Sequence, residues 1–174
     1  MDHSDDEDGR LHGEGGALDG IADQVGTPVY VYSTASLRRH AKGIAAAFEG
    51  MACRIAYSVK ANGNLAVLKT LASEGCGADV VSGGELRRAL TAGIPAELIV
   101  LSGAGKTRAA MALGLELGNH YFNVQRVAEL IALSAVAMSL GKDDPVAVRG
   151  NPDTAAANHT KHDTAPAHGQ VRVT

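Results

Sequence analysis

From Pro28 onward, short runs of apolar and β-branched residues alternate with longer stretches in which apolar residues recur at helical spacing. The short runs predict strands at residues 29–32, 54–59, 78–81, 98–101, 121–124 and 146–149. The longer stretches predict helices near residues 35–48, 65–74, 85–92, 109–117 and 127–140. The chain therefore has a repeated strand–helix order.

Local signals support these boundaries. The SGGE string at residues 82–85 has the spacing of a capping box, which begins a helix. A glycine follows each predicted helix, where a C′ glycine commonly ends one; these are Gly50, Gly75, Gly93, Gly118 and Gly141. From the second predicted strand on, each strand lies 20 to 24 residues after the one before it. Such units build either a closed (β/α)8 barrel or an open doubly wound sheet, and a whole barrel needs about 250 residues.

Composition sets the broad class. With 174 residues, 45% of them hydrophobic, the chain can bury a core of ordinary domain size. The acidic run at residues 5–8 predicts an acidic, flexible tail over residues 1–20. The net charge is -3 and no Lys/Arg cluster forms a stripe, so we expect no nucleic-acid partner.

Cysteine usage and hydropathy indicate the compartment. Cys53 and Cys76 form no CxxC motif, which fits reduced cytoplasmic thiols better than disulfides or a zinc site. The first 20 residues lack the charge and hydropathy pattern of a signal peptide, and no apolar run approaches about 18 residues. We therefore expect a cytoplasmic protein without a membrane partner.

Polar and small residues follow the predicted strands. Both candidate architectures form their active sites at the carboxyl ends of parallel strands. The residues at those ends are Lys60, Ala61, Asn62, Ser82, Gly83, Gly84, Glu85, Ser102, Gly103, Asn123, Arg149 and Asn151. These side chains should converge on one rim of the sheet, which makes that rim the candidate active site.

Lys60 directly follows the apolar-rich run at residues 55–59, which should hold its amine near a partly desolvated rim. Desolvation favours the neutral, nucleophilic form of an amine, which can attack a carbonyl carbon. The alternative is a solvated lysine that extends from the end of a strand. Position alone leaves both interpretations open.

The string YSVKAN at residues 57–62 resembles the Y-A-V-K-A-N signature of the fold-type III pyridoxal-phosphate-dependent decarboxylases. Further similar segments follow the order of that family, at residues 26–32, 77–86 and 122–124. Within the family, residues 102–107 and 151–153 are more similar to the diaminopimelate decarboxylases than to ornithine or arginine decarboxylases. The resemblance covers roughly residues 10 to 164.

This resemblance implies an α/β fold, a partial (β/α)8 TIM-type barrel of the alanine racemase/decarboxylase type, truncated after about five barrel strands. Residues 21–164 would form an incomplete pyridoxal-phosphate-binding barrel domain, residues 165–174 a divergent tail, and the family's carboxyl-terminal β-domain would be absent. The implied activity is that of a carboxy-lyase of lysine biosynthesis, which converts meso-diaminopimelate to L-lysine and carbon dioxide with pyridoxal 5′-phosphate. The family is homodimeric, so self-association is expected.

The resemblance also assigns site residues. Lys60 would be the catalytic residue and would bind the cofactor through its amine. Asp79 and Glu85 would lie near the cofactor face and Arg149 near the ring edge, and no metal is implied. From the residues alone, Glu85 could equally cap its helix and Arg149 could close a salt bridge at the rim.

The chain departs from the family pattern at several positions. Ser58, Gln125 and Gly150 stand where alanine, glutamate and valine are usual. Residues 165–174 do not continue the pattern, and a frameshift or premature end is one hypothesis for this. The family's phosphate-binding loop and pyridine-nitrogen partner lie beyond that point, so we expect this chain alone to have weak or no activity.

Three alternatives remain. Residues 105–107 end like a Walker A motif, but Val100 stands where the first glycine belongs, so the loop would be too short. A metal site could form in the Ala-, Thr- and Pro-rich segment from His159, His162 and His168 with Asp153 and Asp163. The third alternative is a non-catalytic pyridoxal-phosphate-binding protein or an amino-acid racemase of the same fold.

Overall fold

The computed structural model describes residues 4–7 and 9–150. It begins with a small antiparallel sheet of three strands, β1 (Ser4–Glu7), β2 (Arg10–Gly13) and β3 (Gly16–Ala17), followed by helix α1 (Leu18–Val25). The hydropathy pattern predicted no element here, because strands held by local hairpin pairing need no apolar alternation. Arg10 stabilises this unit through two side-chain hydrogen bonds to Asp19, 2.8 and 2.9 Å long.

The main body is a five-stranded sheet in which each strand is parallel to the next, in the sequential order β4-β5-β6-β7-β8. The strands are β4 (Ala56–Ser58), β5 (Gly77–Val80), β6 (Ile99–Leu101), β7 (Tyr121–Val124) and β8 (Val146–Val148). The helices are α2 (Thr34–Ala47), α3 (Leu65–Ser73), α4 (Gly83–Thr91), α5 (Arg108–Leu117) and α6 (Val127–Leu140). Helices α3 to α6 connect consecutive strands. This confirms the predicted α/β class and the parallel strand–helix repeat.

Two apolar clusters hold the helices on the sheet. The larger one is centred on side chains that are almost fully buried: Leu68, Leu86, Leu101, Phe122 and Leu133. The smaller one packs α2 against α3 and consists of Ala41, Val67, Leu71 and Cys76. Strands β5 and β6 are buried over most of their length, as parallel sheets covered by helices require, whereas the two outer strands β4 and β8 are more exposed.

The helix boundaries follow the polar and glycine signals. Four helices begin after a residue whose side chain accepts a backbone N–H two or three residues on; these are Ser33, Asn64, Ser82 and Thr107. All five glycines predicted to end helices have positive φ, between 61° and 90°. Gly118 and Gly141 adopt the left-handed conformation that the last helical turns of α5 and α6 require.

The strand predicted at residues 29–32 is wrong. These residues form no strand and pair with no other strand, and all four are exposed, with Tyr30 at 85%. A β-branched and aromatic pattern becomes a strand only beside a pairing partner, and the described part of the chain supplies none. The segment leads instead into α2, where Glu14 accepts hydrogen bonds from the Ser33 hydroxyl (2.5 Å) and the Ala35 N–H (2.7 Å).

The strand before Lys60 is also shorter than predicted. It ends at Ser58, and residues Val59–Ala61 form a 3-10 turn. No helix within residues 9–150 is long and apolar enough to cross a bilayer.

Candidate functional site

The carboxyl ends of the parallel strands border one cleft of about 270 Å³. Its lining comes from all five strand ends and consists of Lys60, Asp79, Val81, Ser102, Gly103, Asn123, Gln125 and Arg149. Neighbouring parallel strands bring these residues together because their carboxyl ends share one edge of the sheet. The cleft contains an amine, a carboxylate, a guanidinium group, two amides and a hydroxyl.

Lys60 lies on the 3-10 turn that follows β4. Val59, 1% exposed, anchors this turn in the core, whereas the Lys60 side chain is exposed. The expected desolvation of its amine is therefore not found, because the turn raises Lys60 above the apolar run that precedes it. Among the described residues, the Lys60 amine has no hydrogen-bond or ion-pair partner.

The loop after Lys60 is fixed on three sides. The Tyr57 hydroxyl donates to the Asn62 carbonyl (3.4 Å), and Arg88 on α4 donates to the Gly63 carbonyl (3.1 Å). The Asn62 side chain accepts the Asn64 N–H at 3.0 Å. Burial raises the pKa of the Tyr57 hydroxyl, so it keeps its proton and acts as a donor at neutral pH.

Asp79 is the carboxylate of the cleft and lies opposite Ser58 in the β4–β5 register. The Ser58 hydroxyl donates to Asp79 Oδ2 at 2.9 Å. Asp79 Oδ1 is buried, and no partner for it exists among the described residues. A buried oxygen without a partner is unfavourable, so Oδ1 is an acceptor suited to a donor that enters the cleft.

Ser102 and Asn123 form another wall of the cleft. Asn123 Nδ2 donates to the Ser102 hydroxyl at 2.9 Å, which joins the ends of β6 and β7 through their side chains. Ser102 also donates its backbone N–H to the Val80 carbonyl at 2.7 Å. This wall is therefore fixed to β5, the strand that carries Asp79.

Arg149 and Glu85 take different positions. Arg149 follows β8, donates its backbone N–H to the Val124 carbonyl (2.9 Å) and reaches the cleft with an exposed side chain. Glu85 does not line the cleft. Its carboxylate accepts the Val81 N–H (2.8 Å), and its own N–H donates to the Ser82 hydroxyl (3.2 Å), so it caps α4 and fixes a lining residue from behind.

The Walker-type and metal-site alternatives receive no support from the described part of the chain. Lys106, the lysine of the Walker-like string, has a side chain that is 0% exposed and is already bonded within the protein, so it cannot reach a phosphate. The proposed metal ligands, from Asp153 to His168, lie outside the described residues. Within those residues, no group of three or more His, Cys, Asp or Glu could hold a metal.

Sequence reasoning missed Val81 as a lining residue and Lys106 as a buried one. Val81 was placed inside a strand, although β5 ends at Val80. Gln125 stood out only as a departure from a familiar pattern; the structure makes it a buried lining residue, 7% exposed.

The chain is similar to known proteins over most of its length. A model of the family described as pyridoxal-dependent decarboxylase, pyridoxal binding domain, matches residues 34–169. The chain is 49% identical over 152 residues to a diaminopimelate decarboxylase of Pseudomonas fluorescens, covering 87% of this chain and 36% of that protein. It is 48% identical over 150 residues to that of Zymomonas mobilis, covering 84% and 36%.

Solved structures give the same result. The crystal structure of diaminopimelate decarboxylase from M. jannaschii in complex with L-lysine has a TM-score of 0.80 and 37% identity, covering 87% of this chain and 36% of that one. The lysine/ornithine decarboxylase of Vibrio vulnificus, complexed with putrescine, has a TM-score of 0.66 at 23% identity and supports the fold alone. The chain spans just over a third of the length of the relatives it matches.

Proposed function

Because the chain belongs to the pyridoxal-dependent decarboxylase family, we propose that its rim cleft binds pyridoxal 5′-phosphate as part of a diaminopimelate decarboxylase. Such a lyase converts meso-diaminopimelate to L-lysine and carbon dioxide. One observation carries the proposal. The lysine of the YSVKAN string has a free amine on the same cleft as a buried carboxylate with one unpaired oxygen.

The residues present fit the cofactor. Pyridoxal phosphate has an aldehyde, which an amine of the protein can attack. It also has polar groups around an aromatic ring, which need hydrogen-bond donors and acceptors in the protein. Lys60 supplies the amine and Asp79 the open acceptor, and Ser102 and Asn123 form a polar wall. When bound, the cofactor supplies an electron sink for breaking the bond to the departing carboxylate.

Each cleft residue then has a role that its contacts support. Lys60 Nζ is the attachment point, and the fixed loop at Asn62 and Gly63 holds it in place. Asp79 Oδ1 accepts a hydrogen bond from the bound molecule, while Ser58 keeps the carboxylate oriented. The exposed Arg149 guanidinium places positive charge at the mouth, which favours an anionic ligand.

Glu85 acts through another residue. Its carboxylate holds the Val81 N–H, so its role is to keep Val81 at the edge of the cleft rather than to contact the cofactor directly. Replacing Glu85 by glutamine should keep an acceptor for Val81 and therefore weaken cofactor binding less than replacing it by alanine.

The proposal is tested by adding pyridoxal phosphate to the purified chain, recording the absorbance spectrum, reducing with borohydride and mapping the labelled peptide by mass spectrometry. We expect the label on Lys60 and its loss in Lys60→Ala. Lys69→Ala is the matched control, because Lys69 is an exposed lysine on α3 away from the cleft. Labelling spread over several exposed lysines, unchanged in Lys60→Ala, would contradict the proposal.

A second assay separates decarboxylation from binding alone. Release of carbon dioxide from meso-diaminopimelate, but not from L-ornithine, supports the lyase. Interconversion of amino-acid enantiomers favours a racemase. A Lys60-dependent label without carbon dioxide release fits both the weak activity expected of this chain alone and a non-catalytic pyridoxal-phosphate-binding protein.

We also propose a cytoplasmic protein that self-associates, as the homodimeric family would. The exposed side chains of residues 29–32 and the apolar surface of α6, including Val127, Ile131 and Met138, support association. Light scattering over a hundredfold range of concentration tests this, and a constant monomer mass would contradict it.

A further inference from the structure

A buried ion pair lies directly behind the cleft. It joins Lys106, in the loop between β6 and α5, to Glu129, in the first turn of α6. The side chain of Lys106 is 0% exposed and that of Glu129 is 9% exposed. By contrast, the ion pairs Arg10–Asp19, Arg38–Glu74 and Lys42–Glu74 each include at least one side chain that is 52% or more exposed.

The pair connects two loops that line the cleft. Lys106 Nζ donates to the Gly103 carbonyl (2.6 Å) and to the Asn123 carbonyl (2.7 Å). Glu129 Oε2 accepts the Gln125 N–H at 3.0 Å. Gly103, Asn123 and Gln125 all line the cleft. The two charged side chains therefore hold three lining residues by their backbone atoms.

The bonds set the direction in which the loop backbones face. Two carbonyls turn toward Lys106, and the side chains of Ser102 and Asn123 meet each other at 2.9 Å. Gly103 has φ of 89°, and a Cβ there would lie 3.1 Å from the Val81 Cβ, so the loop already approaches β5 as closely as packing allows. A small shift of this loop would change the width of the cleft.

Stability alone does not account for the pair. A buried ion pair gives little or no net stabilisation compared with apolar side chains of similar size, because both charges lose their hydration. Apolar residues at these positions could fill the space but could not bind two carbonyls and an N–H. What only the charged pair supplies is a fixed backbone conformation at Gly103, Asn123 and Gln125.

We propose that Lys106 and Glu129 are positioning residues that hold the Ser102–Asn123 wall of the cleft in the conformation that binds the cofactor. This inference rests on the proposed function. Neither residue lines the cleft, so both act through the loops and not by contact with the bound molecule.

The test compares three variants with the unaltered chain. Lys106→Met removes one charge and leaves Glu129 buried and unpaired. The double variant Lys106→Met/Glu129→Gln removes both charges and retains the folded state if the single variant fails to fold. Leu133→Ala is the control. It creates a cavity one turn along α6 from Glu129 and lowers stability, but it leaves the side chains of Lys106 and Glu129 unchanged.

Two measurements are made well below each variant's melting temperature. The first is hydrogen exchange of peptides that contain residues 102–106 and 123–126, compared with residues 77–81. The second is the dissociation constant of pyridoxal phosphate, read from the absorbance of the bound cofactor, together with the borohydride-fixed label on Lys60. We expect the double variant to lose protection at the two loops only and to bind the cofactor at least tenfold more weakly. Leu133→Ala should change the dissociation constant less than twofold.

The outcomes separate this inference from the proposed function. Unchanged protection of both loops in the double variant overturns the inference whether or not the cofactor binds. Lost protection with an unchanged dissociation constant also overturns it, while the proposed function stands. Equal weakening in Leu133→Ala and the double variant assigns the effect to stability and overturns it too. Absence of any Lys60 label in the unaltered chain overturns the proposed function and, with it, the role of Lys106 and Glu129 in cofactor binding. In that case the hydrogen-exchange data still decide whether these two residues order the loops.

Discussion

Ser58 and Asp79 stand opposite each other on neighbouring parallel strands, and one hydroxyl satisfies only one of the two carboxylate oxygens. The second oxygen is buried without a hydrogen-bond partner among the described residues, and Asp79 lines the cleft that also contains Lys60. At the scale of single residues, the site thus combines a free amine with a carboxylate whose orientation is fixed but whose hydrogen bonding is incomplete.

Replacing Ser58 by alanine should remove the one side-chain donor to Asp79 that the described chain contains. Because the carboxylate would then have two partly buried oxygens without side-chain donors, we expect a loss of about 1–3 kcal/mol in the free energy of unfolding. Urea unfolding measures this. Ser73→Ala, at an exposed helix end, is the control and should change stability by less than about 0.5 kcal/mol. Equal effects of the two variants would contradict the prediction.

The two cysteines should react very differently with iodoacetamide. Cys53 is exposed, whereas burial raises the pKa of the Cys76 thiol and keeps it in the unreactive protonated form. At pH 8 we expect one thiol to react quickly in the native chain and both to react after unfolding. Native Cys53→Ser should react only slowly, and rapid labelling of that variant would refute the assignment.

The same shift links Cys76 to stability. The folded thiol holds its proton to higher pH than the unfolded thiol, because its pKa is raised. The Cys76 thiol therefore makes the free energy of unfolding depend on pH. Its full contribution is present below the pKa of the unfolded thiol and is lost as the pH rises through the pKa of the folded thiol.

Sequence reasoning located Lys60 but not the contrast between Lys60 and Lys106. Both lysines follow a strand within a few residues, and both stand in glycine- or alanine-rich strings. Lys60 is exposed on a turn, whereas the side chain of Lys106 is fully buried, because a carboxylate on a distant helix, that of Glu129, is available only to Lys106. A partner 23 positions away leaves no local pattern, so burial of this charge could not be predicted.

At the scale of elements, β5 shows how closely the sheet and its connections pack. A Cβ added at Gly77 would lie 2.2 Å from the carbonyl oxygen of Leu98, which belongs to the backbone and cannot move aside alone. Glycine is thus required at the first residue of β5 so that the segment before β6 can pass close to it.

Gly77→Ala should destabilise the chain by about 3 kcal/mol or more, because backbone must shift to admit the methyl group. Gly43→Ala is the matched control. Gly43 lies in the middle of α2 with no atom within 4 Å of an added Cβ, so alanine should stabilise by about 0.5–1 kcal/mol. Thermal unfolding of the two variants measures both effects, and a tolerated Gly77→Ala would show that the close approach is not required.

Elements with local signals were predicted well. Helix α6 has the predicted bounds, and the other helices of the main body begin or end within two residues of theirs, because capping side chains and C′ glycines act locally. The strand at residues 29–32 failed because strand formation depends on a partner. The amino-terminal sheet was missed because Ser4–Glu7 pairs in register with Arg10–Gly13 without an apolar pattern.

At the scale of the whole molecule, burial is unevenly distributed. Helix α2 spans 14 residues but buries Ala41 alone, and Ile44 and Phe48 beside it are 49% and 44% exposed. Helices α4, α5 and α6 instead pack into the large cluster around Phe122. Local stability should therefore be lowest at the amino-terminal side of the sheet.

Amides of α2 should exchange with deuterium at least tenfold faster than those of α5, because opening α2 exposes little apolar surface. Hydrogen exchange at neutral pH, read on peptides from each helix, measures this ratio. Comparable protection of α2 and α5 would show that the small cluster of Ala41, Val67, Leu71 and Cys76 holds the helix as firmly as the main core.

The repeat spacing predicted the parallel α/β architecture, but the same spacing fits a barrel and an open sheet equally well. Closure depends on how strand tilt and register accumulate around the whole sheet, and no single 20–24-residue unit encodes that. The assignment to the barrel type came from the YSVKAN string and its companions, which identify a family rather than a geometry.

The sequential strand order has a consequence for how the chain folds. Paired residues such as Ala56 and Gly77, or Val100 and Tyr121, are 21 positions apart, so every new strand docks on the one made just before it. The entropy lost in closing each connection is therefore nearly the same at every step. No strand pairing in this sheet joins segments that are far apart in the sequence. The sheet can consequently form in the direction of synthesis. Each new strand, with the helix before it, can pair with the last strand already formed as the chain leaves the ribosome.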